Sequence, residues 1–533
     1  MNLVWLDISA SYSHSSLALP AIEACREGDD GYEWSCVSGT INSDLFALTR
    51  ELYEAQPTII AATLWLFNHD VVLSICQRIK ALVPHVEIIL GGAEFDGCNE
   101  SFLRRNTFIN KVFRGEGEVE FHRLLRGEKL SSIVGLCYLD SEGRYCDNGA
   151  ARVANFAQLP PPESSRFFSL CAPFVQMEFS RGCFNDCAFC VSGGDKPIRD
   201  RSIEQARERI ADIAARGIRD VRVLDRTFNY SPRRAKELLA MFCDFPSMNF
   251  HLEIHPALLT DSLCDALSAM PNGLLHLEAG MQSLDDRVIE SSGRIGANEA
   301  AIRGLARLCE MSNFETHADL IAGLPHYTLS QIFRDVRQLV QLGADEIQLE
   351  LLKLLPGTRM RRQAAELGIC YSSQPPYEVL QTPVITVAEL DRARQLSKLI
   401  DKFYNAKAWQ QPMKMLIEAD DRFLERFLEY LLPMELLDRP LSLDRRGALL
   451  FAFCCDCVGA EYADMVSIAW IESGLSLRRA EAGMVEKLTL PPPYIDAKPG
   501  QHYYLWQGAN QSYIFIFDRS LDHSRPISKV ALS

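Results

Sequence analysis

The sequence predicts a three-part α/β protein, because two series of alternating strands and helices are separated by a proline cluster. Short apolar runs alternate with amphipathic helical patterns in the first third of the chain and again in the middle, which is typical of parallel sheets covered by helices. The prolines at positions 160–162 separate the two series, since consecutive prolines continue neither a helix nor a central strand. The predicted parts are an N-terminal domain (1–130), a linker (131–170), a second α/β domain (171–385) and a C-terminal domain (386–533).

The N-terminal third has the rhythm of a doubly wound, Rossmann-like sheet, with strands at residues 3–6, 58–63, 87–90 and 111–113. Ligands of such sheets bind beyond the carboxyl ends of the strands, so the turns found there are candidate binding elements. Glycines after a strand also make tight turns, and both interpretations stay open at this point. Three turns qualify, and they contain Thr63, Leu64 and Trp65; Gly91, Gly92 and Glu94; and Gly115, Glu116 and Gly117.

The middle of the chain repeats the strand–helix unit six times. Strands are predicted at residues 175–179, 221–224, 250–254, 274–279, 316–321 and 346–351, with helices between them such as residues 203–215 and 231–242. Polar side chains such as Asp225, Glu253, Gln282 and Asp319 lie in or directly after these strands. Active sites of parallel barrels lie at the carboxyl ends of the strands, so we expect the functional site there.

The C-terminal domain is predicted to be mainly helical to about residue 482, with a strand-rich tail at residues 486–490, 503–506 and 513–517. Cys454, Cys455 and Cys457 suggest a second metal site. However, neighbouring positions on a helix point about 100° apart, and this domain contains no second C-x2-C pair. Buried thiols on a core helix are therefore the favoured interpretation.

Composition narrows the class of partner. The net charge is −15, with 55 basic and 70 acidic residues, so a small-molecule substrate is expected and a nucleic acid is not. Seventeen cysteines, an odd number, suit a reducing interior better than a disulfide framework. The N-terminus does not resemble a signal peptide and the longest apolar run is too short to span a bilayer, so we expect a cytoplasmic protein without a membrane segment.

The most informative motif is the C-x3-C-x2-C run formed by Cys183, Cys187 and Cys190. Three thiolates at this spacing can wrap one edge of a cubane cluster and leave the fourth iron without a protein ligand. Structural metal sites normally close with four protein ligands, so an open position indicates chemistry at iron. The alternative is three buried cysteines that lie close together by chance.

The run Ser180-Arg181-Gly182-Cys183-Phe184-Asn185-Asp186-Cys187-Ala188-Phe189-Cys190 resembles the cluster motif of radical S-adenosylmethionine (SAM) enzymes. This resemblance implies a partial (β/α)6 barrel and a [4Fe-4S] cluster whose open iron is chelated by SAM. It also implies reductive cleavage of SAM to a 5′-deoxyadenosyl radical, with flavodoxin or ferredoxin as the one-electron donor. Phe189 matches the aromatic position that packs on the adenine in that family.

Later segments of the barrel resemble the oxygen-independent coproporphyrinogen oxidase branch of the same enzymes. By that resemblance Glu253, Gln282, Arg294 and Asp319 would contact the ribose, amine or carboxylate of SAM, which suits their chemistry. For each of these residues the alternative is a hydrogen bond to a local backbone group. Gly193 and Gly194 are expected to shape the cluster loop, and a direct contact with SAM is doubtful.

The three N-terminal turns, in this order and upstream of the cysteine motif, resemble the cobalamin-binding domain of cobalamin-dependent radical SAM enzymes. The resemblance implies that these turns, with Glu94 and Glu116 among them, approach the corrin and its nucleotide tail. A D-x-H-x-x-G motif for an axial histidine is absent, and His14, His69 and His85 are interpreted as surface or capping residues. The lower face of cobalt is then expected to face Thr63, Leu64 and Trp65 of the first turn.

The organisation of the C-terminal third resembles a subgroup of cobalamin-binding radical SAM proteins whose last domain has no assigned activity. The predicted function is methylation of an unactivated carbon of a small molecule. A rearrangement or cyclisation without methyl transfer would use the same parts, and a non-catalytic cobalamin or cluster sensor is the non-enzymatic alternative. A tRNA methylthiotransferase would need three more cluster cysteines before Cys183 and a basic tail, which the sequence does not suggest.

Overall fold

A computed structural model describes residues 1–11, 16–28, 31–170, 173–493, 495, 498–518 and 525–532. The chain forms two compact units. The first unit comprises Met1–Thr316, Gly323–Tyr327 and Leu351–Val387, and the second comprises His317–Ala322, Thr328–Glu350 and Ala388–Ser533. The predicted domain limits remain predictions.

The N-terminal part of the first unit is a seven-stranded sheet with the order β2-β1-β3-β4-β5-β6-β7. Strands β1 to β5 are parallel, and β6 and β7 are antiparallel additions at one edge. The strands are β1 (Asn2–Ser9), β2 (Glu33–Thr40), β3 (Ile59–Thr63), β4 (Glu87–Gly91), β5 (Lys111–Phe113), β6 (Leu136–Leu139) and β7 (Tyr145–Asp147). The helices are α1 (Ala18–Ala24), α2 (Leu45–Glu54), α3 (His69–Leu82), α4 (Glu100–Arg105) and α5 (Glu120–Leu125).

Both faces of this sheet are covered, as the sequence predicts. Alternate residues of β1 enter two separate hydrophobic cores, with Val4 and Leu6 in one and Leu3 and Trp5 in the other. The range 131–170, which the sequence assigns to a linker, contains the hairpin formed by β6 and β7. This hairpin extends the sheet, because β6 pairs with the edge of β5.

The barrel region of the first unit contains four parallel strands in continuous register, β8, β11, β12 and β13. A short antiparallel pair, β9 with β10, follows β8. The strands are β8 (Val175–Met177), β9 (Ser180–Arg181), β10 (Arg199–Asp200), β11 (Asp220–Val223), β12 (Asn249–Ile254) and β13 (Leu275–Gln282). The helices are α6 (Ile203–Ala215), α7 (Pro232–Phe242), α8 (Asp261–Ser268), α9 (Asp286–Ser291) and α10 (Asn298–Cys309).

The predicted helices at 203–215 and 231–242 correspond to α6 and α7. Ser202 and Gln205 form a capping box at the start of α6, which satisfies backbone N–H groups that a helix start otherwise leaves unpaired. The last two strand–helix repeats lie mostly in the second unit, as β14 (Glu315–Ala322), α11 (Leu329–Leu342) and β15 (Glu346–Leu351). The first unit ends with α12 (Arg359–Arg362), β16 (Cys370–Tyr371) and β17 (Val379–Gln381).

The C-terminal region is helical and then strand-rich, as predicted. Its helices are α13 (Val387–Leu399), α14 (Lys407–Ala419), α15 (Phe423–Leu431), α16 (Leu443–Phe453) and α17 (Ala460–Glu472), with π-helical turns at Ile400–Tyr404 and Cys454–Val458. An antiparallel sheet follows, made of β18 (Met484–Leu488), β19 (Gln501–Gln507), β20 (Ser512–Asp518) and β21 (Ser528–Leu532). Trp409 and Trp470 pack in the helical core, 6.2 Å apart between ring centroids.

The cysteines of this region correct one expectation. Cys454 is buried, as predicted, but Cys455 and Cys457 are exposed. The π-helical turn at Cys454–Val458 departs from the α-helical periodicity on which the prediction rested, and the role of the three thiols stays open. Among the described residues, no helix combines the length and the apolar character that crossing a membrane requires.

Candidate functional site

The loop that carries the three cysteines leaves the carboxyl end of β8 and is closed at its base by β9 and β10. Arg181 pairs with Arg199 across this base, and the Cys183 N–H donates to the Asp195 carbonyl at 3.0 Å. The Asp225 carboxylate, at the end of β11, accepts from the backbone N–H groups of Phe179 and Ser180 at 2.8 and 2.9 Å. The entry to the cluster loop is therefore tied to the neighbouring strand.

Glycine allows this loop to fold tightly. A Cβ on Gly193 would lie 2.3 Å from the Cys187 carbonyl oxygen. A Cβ on Gly182, which has a φ of +97°, would lie 2.6 Å from the Asp195 carbonyl oxygen. Only glycine fits such approaches, so Gly193 shapes the cluster loop, as the sequence suggests.

Two of the three thiols, those of Cys187 and Cys190, lie in surroundings that disfavour the thiolate form in the absence of a metal. Cys183 and Cys187 are buried and Cys190 is partly buried. Burial raises the pKa of Cys187 to about 11, while the charge of Arg294 opposes this rise. Burial also raises the pKa of Cys190. A bound iron cluster supplies the positive charge that favours thiolates, so these residues fit a cluster.

Three of the four predicted SAM residues are brought to the cluster loop. A Cβ on Gly280 would lie 2.6 Å from Gln282 Nε2 and 3.8 Å from Arg294 Nη1, so these two side chains converge on the end of β13. The charges of Arg294 and Glu253 act on Cys187 and Cys190, respectively. Contacts of these residues with SAM remain predictions.

Gln282 has a strained backbone conformation, and the Glu253 carboxyl is desolvated by burial. Gln282 has a φ of +68°, which is uncommon for a residue with a side chain. Its buried Oε1 atom has no hydrogen-bond partner among the described residues. Burial raises the pKa of Glu253 to about 7, and the facing Glu278 on β13 adds to this rise. Such features cluster at functional sites.

Asp319 and Phe189 have other surroundings. Asp319 belongs to the second compact unit, where its Oδ1 atom lies 3.2 Å from His317 Nε2. Phe189 lies within the cluster loop and is partly exposed. The predicted contacts of both residues with SAM stay predictions.

Sequence reasoning missed several residues that hold the site together. Asn185 Oδ1 accepts from the Ile295 N–H at 2.6 Å, and Asn229 exchanges two hydrogen bonds with the backbone of His255 at 2.8 and 2.9 Å. Asn229 is fully buried, and His255 is only 3% exposed. A polar side chain directly after a strand was the available signal for His255, whereas Asn229 lies in the loop beyond Val223, where β11 ends.

At the carboxyl edge of the N-terminal sheet, the turns after β3 and β4 touch. The Leu64 N–H donates to the Gly91 carbonyl at 2.7 Å. A Cβ on Gly92 would lie 2.6 Å from the Leu64 carbonyl oxygen and 2.8 Å from Thr63 Cγ2. Gly92 therefore permits one turn to lie against the other.

The structure corrects the prediction for Leu64. Its side chain is fully buried in the core beneath the sheet, so it does not face a ligand at the edge. Thr63 is 8% exposed, whereas Trp65 is 38% and Phe67 42% exposed. The accessible apolar surface at this edge therefore comes from Trp65 and Phe67, of which the sequence indicated only the first.

Glu94 contacts a segment that follows the barrel. The hydroxyl of Tyr377 donates to the Glu94 carboxylate, and the Arg361 guanidinium lies 4.4 Å from the centre of the Tyr377 ring. Burial raises the pKa of Glu94. A contact of Glu94, Gly91 or Gly92 with cobalamin remains a prediction.

In the turn after β5, contacts within the protein account for the glycine at position 115 and the carboxylate at position 116. A Cβ on Gly115, which has a φ of +88°, would lie 2.2 Å from the Ala151 carbonyl oxygen. The Glu116 carboxylate accepts from the Val153 N–H at 2.6 Å and from Arg199 at 2.8 Å. Gly115 and Glu116 therefore have structural roles that need no ligand. Contacts of Gly115, Glu116 and Gly117 with cobalamin remain predictions.

Glu116 belongs to a network of partly and fully buried ion pairs, which we call the clamp network. It consists of Glu116, Glu118, Arg181, Asp195 and Arg199. Arg199 lies 2.7 Å from Glu116 and 3.2 Å from Asp195, and Arg181 lies 2.7 Å from Glu118. Because Arg181 and Arg199 form the base of the cluster loop, the network joins that loop to the turn after β5.

His69 lies at a helix start and His85 at the surface, in agreement with the predicted capping or surface positions. His69 is the first residue of α3, and its Nδ1 atom lies 2.8 Å from Asp70. His85 is exposed. His14 lies outside the described residues.

Comparison with known families decides the identity of the barrel. The family model of the radical SAM superfamily matches residues 177–339. This chain contains a radical SAM domain. Residues 365–467 match a second family model, a protein family of unknown function named DUF4080. The predictions of a radical SAM enzyme and of a C-terminal domain without assigned activity are thereby confirmed.

Relatives of this radical SAM protein include three named enzymes. An uncharacterized methyltransferase of Pyrococcus horikoshii is 24% identical over 68% of this chain and 80% of its own length. The cobalamin-dependent radical SAM methyltransferase TokK of Streptomyces tokunonensis is 22% identical over 56% of this chain and 47% of its own. A tRNA-2-methylthio-N(6)-dimethylallyladenosine synthase of Bordetella avium is 24% identical over 65% and 69%, respectively.

Two solved radical SAM structures share the fold. The methyltransferase TsrM from Kitasatospora setae, with cobalamin and a [4Fe-4S] cluster bound, covers 70% of this chain and 78% of its own, with a TM-score of 0.56 and 18% identity. OxsB, with aqua-cobalamin and SAM bound, covers 88% and 75%, with a TM-score of 0.57 and 14% identity. The predicted fold class is confirmed, and structures of this fold hold the three predicted cofactors.

Proposed function

We propose that this radical SAM enzyme is a cobalamin-dependent methyltransferase that acts on an unactivated carbon of a small molecule. The observation that carries the proposal is the clamp network, which joins the cluster loop to the turn after β5 of a Rossmann-like sheet. A radical SAM domain alone does not need such a sheet. The names of the relatives and the cobalamin held by structures of the same fold support this choice.

The residues of the cluster loop fit a [4Fe-4S] cluster. Cys183, Cys187 and Cys190 offer three sulfur ligands on a loop whose base is fixed by hydrogen bonds. When bound, the cluster supplies one electron to cleave SAM reductively, and a flavodoxin or ferredoxin is the proposed source of that electron. The protein contributes orientation and exclusion of water.

SAM is proposed to lie between the cluster loop and the ends of β12 and β13. Arg294 can fork onto a carboxylate, and Gln282 can accept from an amine or hydroxyl through its unpaired Oε1 atom. Glu253 can accept from a hydroxyl when ionised or donate to one when protonated, since its pKa lies near neutrality. Phe189, which lies in the same loop as the cysteines, is proposed to pack on the adenine of SAM.

Cobalamin is proposed to lie on the carboxyl edge of the N-terminal sheet. Trp65 and Phe67 give this edge exposed apolar surface suited to a large macrocycle, and Gly91 keeps the neighbouring turn open, since the nearest atom to an added Cβ is 3.8 Å away. No side chain of the turn after β3 is a histidine, so Thr63 and Trp65 are the residues of this turn that would hold the bound macrocycle. When bound, cobalamin supplies the methyl group that the substrate receives.

A small substrate is consistent with the net charge of −15 and with the tryptophan substrate held by TsrM. The similarity to the Bordetella avium enzyme favours methylthiolation of tRNA as a second candidate. The acidic composition argues against it, because RNA binding draws on basic surface.

The test is an anaerobic assay of cluster-reconstituted protein with hydroxocobalamin, a chemical reductant and SAM carrying a labelled methyl group. We expect 5′-deoxyadenosine and labelled methylcobalamin, with neither product from a Cys187→Ser variant. Deoxyadenosine without labelled methylcobalamin would overturn methyl transfer and favour a rearrangement or cyclisation. The absence of both products would favour a sensor, and incorporation of label into added bulk tRNA would favour the second candidate.

A further inference from the structure

His255 is an anomaly that the hydrogen bonds of the protein do not explain. The residue follows β12 directly and is 3% exposed. Among the described residues, neither Nδ1 nor Nε2 of its imidazole has a hydrogen-bond partner. Buried polar groups in proteins are nearly always hydrogen-bonded, and leaving one unpaired costs stability. Two unpaired nitrogens in one buried ring therefore need an explanation.

The ring stands beside the elements that form the candidate site. Its centroid lies 5.7 Å from that of Phe184, which is the residue between Cys183 and Asn185 in the cluster loop. A Cβ on Gly296 would lie 3.3 Å from His255 Cε1, so the loop after Arg294 passes close to the ring. His255 is thus placed between the cluster loop and the segment that carries Arg294.

The backbone of His255 is fixed, so its side chain is not free to leave this place. Asn229 accepts from the His255 N–H at 2.8 Å and donates to its carbonyl oxygen at 2.9 Å. Asn229 is itself fully buried. A buried amide that pairs with both backbone groups of one residue positions that residue in the way that a functional side chain requires.

The imidazole is also held in its neutral form. Burial, and after it the positive charge of Arg294, lower the pKa of His255 to about 3, although the backbone at Ile295 and at His255 itself acts in the opposite direction. A neutral imidazole has one N–H donor and one acceptor, and among the described residues neither meets a partner in hydrogen-bond geometry.

A second unpaired group lies at the same site. Gln282 Oε1 is buried without a partner among the described residues, and its backbone is in the left-handed region with a φ of +68°. Gln282 and Arg294 both approach Gly280, and Arg294 acts electrostatically on His255. Two independent residues therefore present unpaired polar atoms around one guanidinium.

We propose that His255 is a further binding residue of this site and that its imidazole N–H donates to an oxygen atom of SAM. This inference rests on the proposed function, because it takes SAM as the occupant of the site. The oxygen is either a carboxylate oxygen of the methionine portion or a hydroxyl of the ribose portion, since both accept from a neutral N–H. The family resemblance implies a SAM contact for Glu253 but assigns no role to His255, which lies two residues later.

The test measures SAM binding rather than turnover. Isothermal titration of cluster-reconstituted protein with SAM is compared between the wild type, His255→Leu, His255→Gln and the exposed control His85→Ala. Loss of one hydrogen bond predicts a Kd about tenfold higher for His255→Leu. The glutamine variant keeps a donor and should recover part of the affinity, while His85→Ala should match the wild type.

The two sources of the oxygen are separated by titrating with L-methionine and with 5′-deoxyadenosine, the two products of SAM cleavage. A loss confined to L-methionine assigns the carboxylate, and a loss confined to 5′-deoxyadenosine assigns the ribose. Unchanged affinity of His255→Leu for SAM and for both products would overturn the inference. If the wild type itself does not bind SAM, the proposed function fails, and this inference fails with it for that separate reason.

The melting temperature measured without SAM distinguishes a binding role of His255 from a structural role, since only a structural role predicts that His255→Leu lowers it. Because both ring nitrogens are unpaired, His255→Leu should melt at the same temperature as the wild type or higher. A large loss of stability without SAM, together with unchanged affinity, would assign His255 to the core and overturn the proposal.

Discussion

The cluster loop and the turns at the edge of the N-terminal sheet both contain glycines that no other residue could replace, yet the two regions use them differently. Gly182 and Gly193 let a short loop fold around three thiols, so the glycines serve residues that carry chemistry. Gly92 and Gly115 let backbone segments lie against each other at the sheet edge, where Trp65 and Phe67 present exposed apolar surface. The comparison separates a site defined by its side chains from one defined by its shape.

The largest expected effect tests the side-chain-defined site. Cys187→Ser should abolish cluster assembly, because the cluster needs all three thiolates of the loop and this variant leaves only two. We expect loss of the iron–sulfur absorbance of reconstituted protein and of deoxyadenosine formation. Cys98→Ser is the matched control, since Cys98 is exposed and lies outside the loop. A Cys187→Ser variant that retained the full absorbance would remove these cysteines from the site.

The clamp network tests whether the two regions depend on each other. Arg199→Met removes the nearer of the two guanidinium groups beside the partly buried Glu116 carboxylate, which keeps Arg181 at 3.7 Å. The loss should cost up to about 3 kcal/mol of unfolding free energy. Arg104→Gln breaks an exposed pair with Glu100 and should cost less than about 0.5 kcal/mol. Urea unfolding of the two variants measures both values.

If the network couples the regions, Glu116→Gln in the Arg199→Met background should restore part of the lost stability. In that double variant, the group that has lost its nearer guanidinium is a neutral amide rather than a carboxylate. Additive losses in the double variant would contradict the coupling.

The shape-defined site is tested with a pair of glycines. Gly115 and Gly127 have φ values of +88° and +72°, but an added Cβ meets the Ala151 carbonyl oxygen only at Gly115 and open space at Gly127. Gly115→Ala should therefore cost about 2–3 kcal/mol and Gly127→Ala about 1 kcal/mol. Equal losses in urea unfolding would show that backbone strain, rather than the close approach, explains both glycines.

The smallest expected effect concerns Glu253. Burial raises its pKa to about 7 in the folded protein, from 4.5. The folded state therefore binds the proton more tightly than the unfolded state, and the stabilisation it brings is present below about pH 4.5 and lost as the pH rises to about 7. Glu253→Gln should remove a decrease of about 2–2.5 kcal/mol between pH 5 and pH 8.

Urea unfolding at a series of pH values measures this slope. Glu350→Gln is a control, because that carboxylate is exposed on a strand of the second unit. An unchanged slope in Glu253→Gln would mean that other buried carboxyls, such as Asp225 with its pKa near 6, dominate the pH dependence.

The sequence was sufficient for features that depend on local pattern. The apolar periodicity placed most strands of both sheets, although not β2, and the limits of α6, because side-chain burial follows the strand and helix repeats directly. The cysteine spacing indicated a cluster loop, since three ligands on one short segment do not need tertiary structure to come together. The sequence also placed Glu253 and Gln282 at the functional site, because they lie at strand ends and active sites of parallel barrels lie at the carboxyl ends of the strands.

Tertiary structure decided what depends on contacts between distant segments. Leu64 looked like a ligand-facing residue in the sequence, but the packing of α2, α3 and the sheet buries it. Glu116 followed a strand as a cofactor residue would, but Arg199, 83 positions away, occupies its carboxylate. The unpaired state of the His255 ring could be seen only once every neighbouring donor and acceptor had a position, because a hydrogen bond is a property of two groups and the sequence shows one at a time.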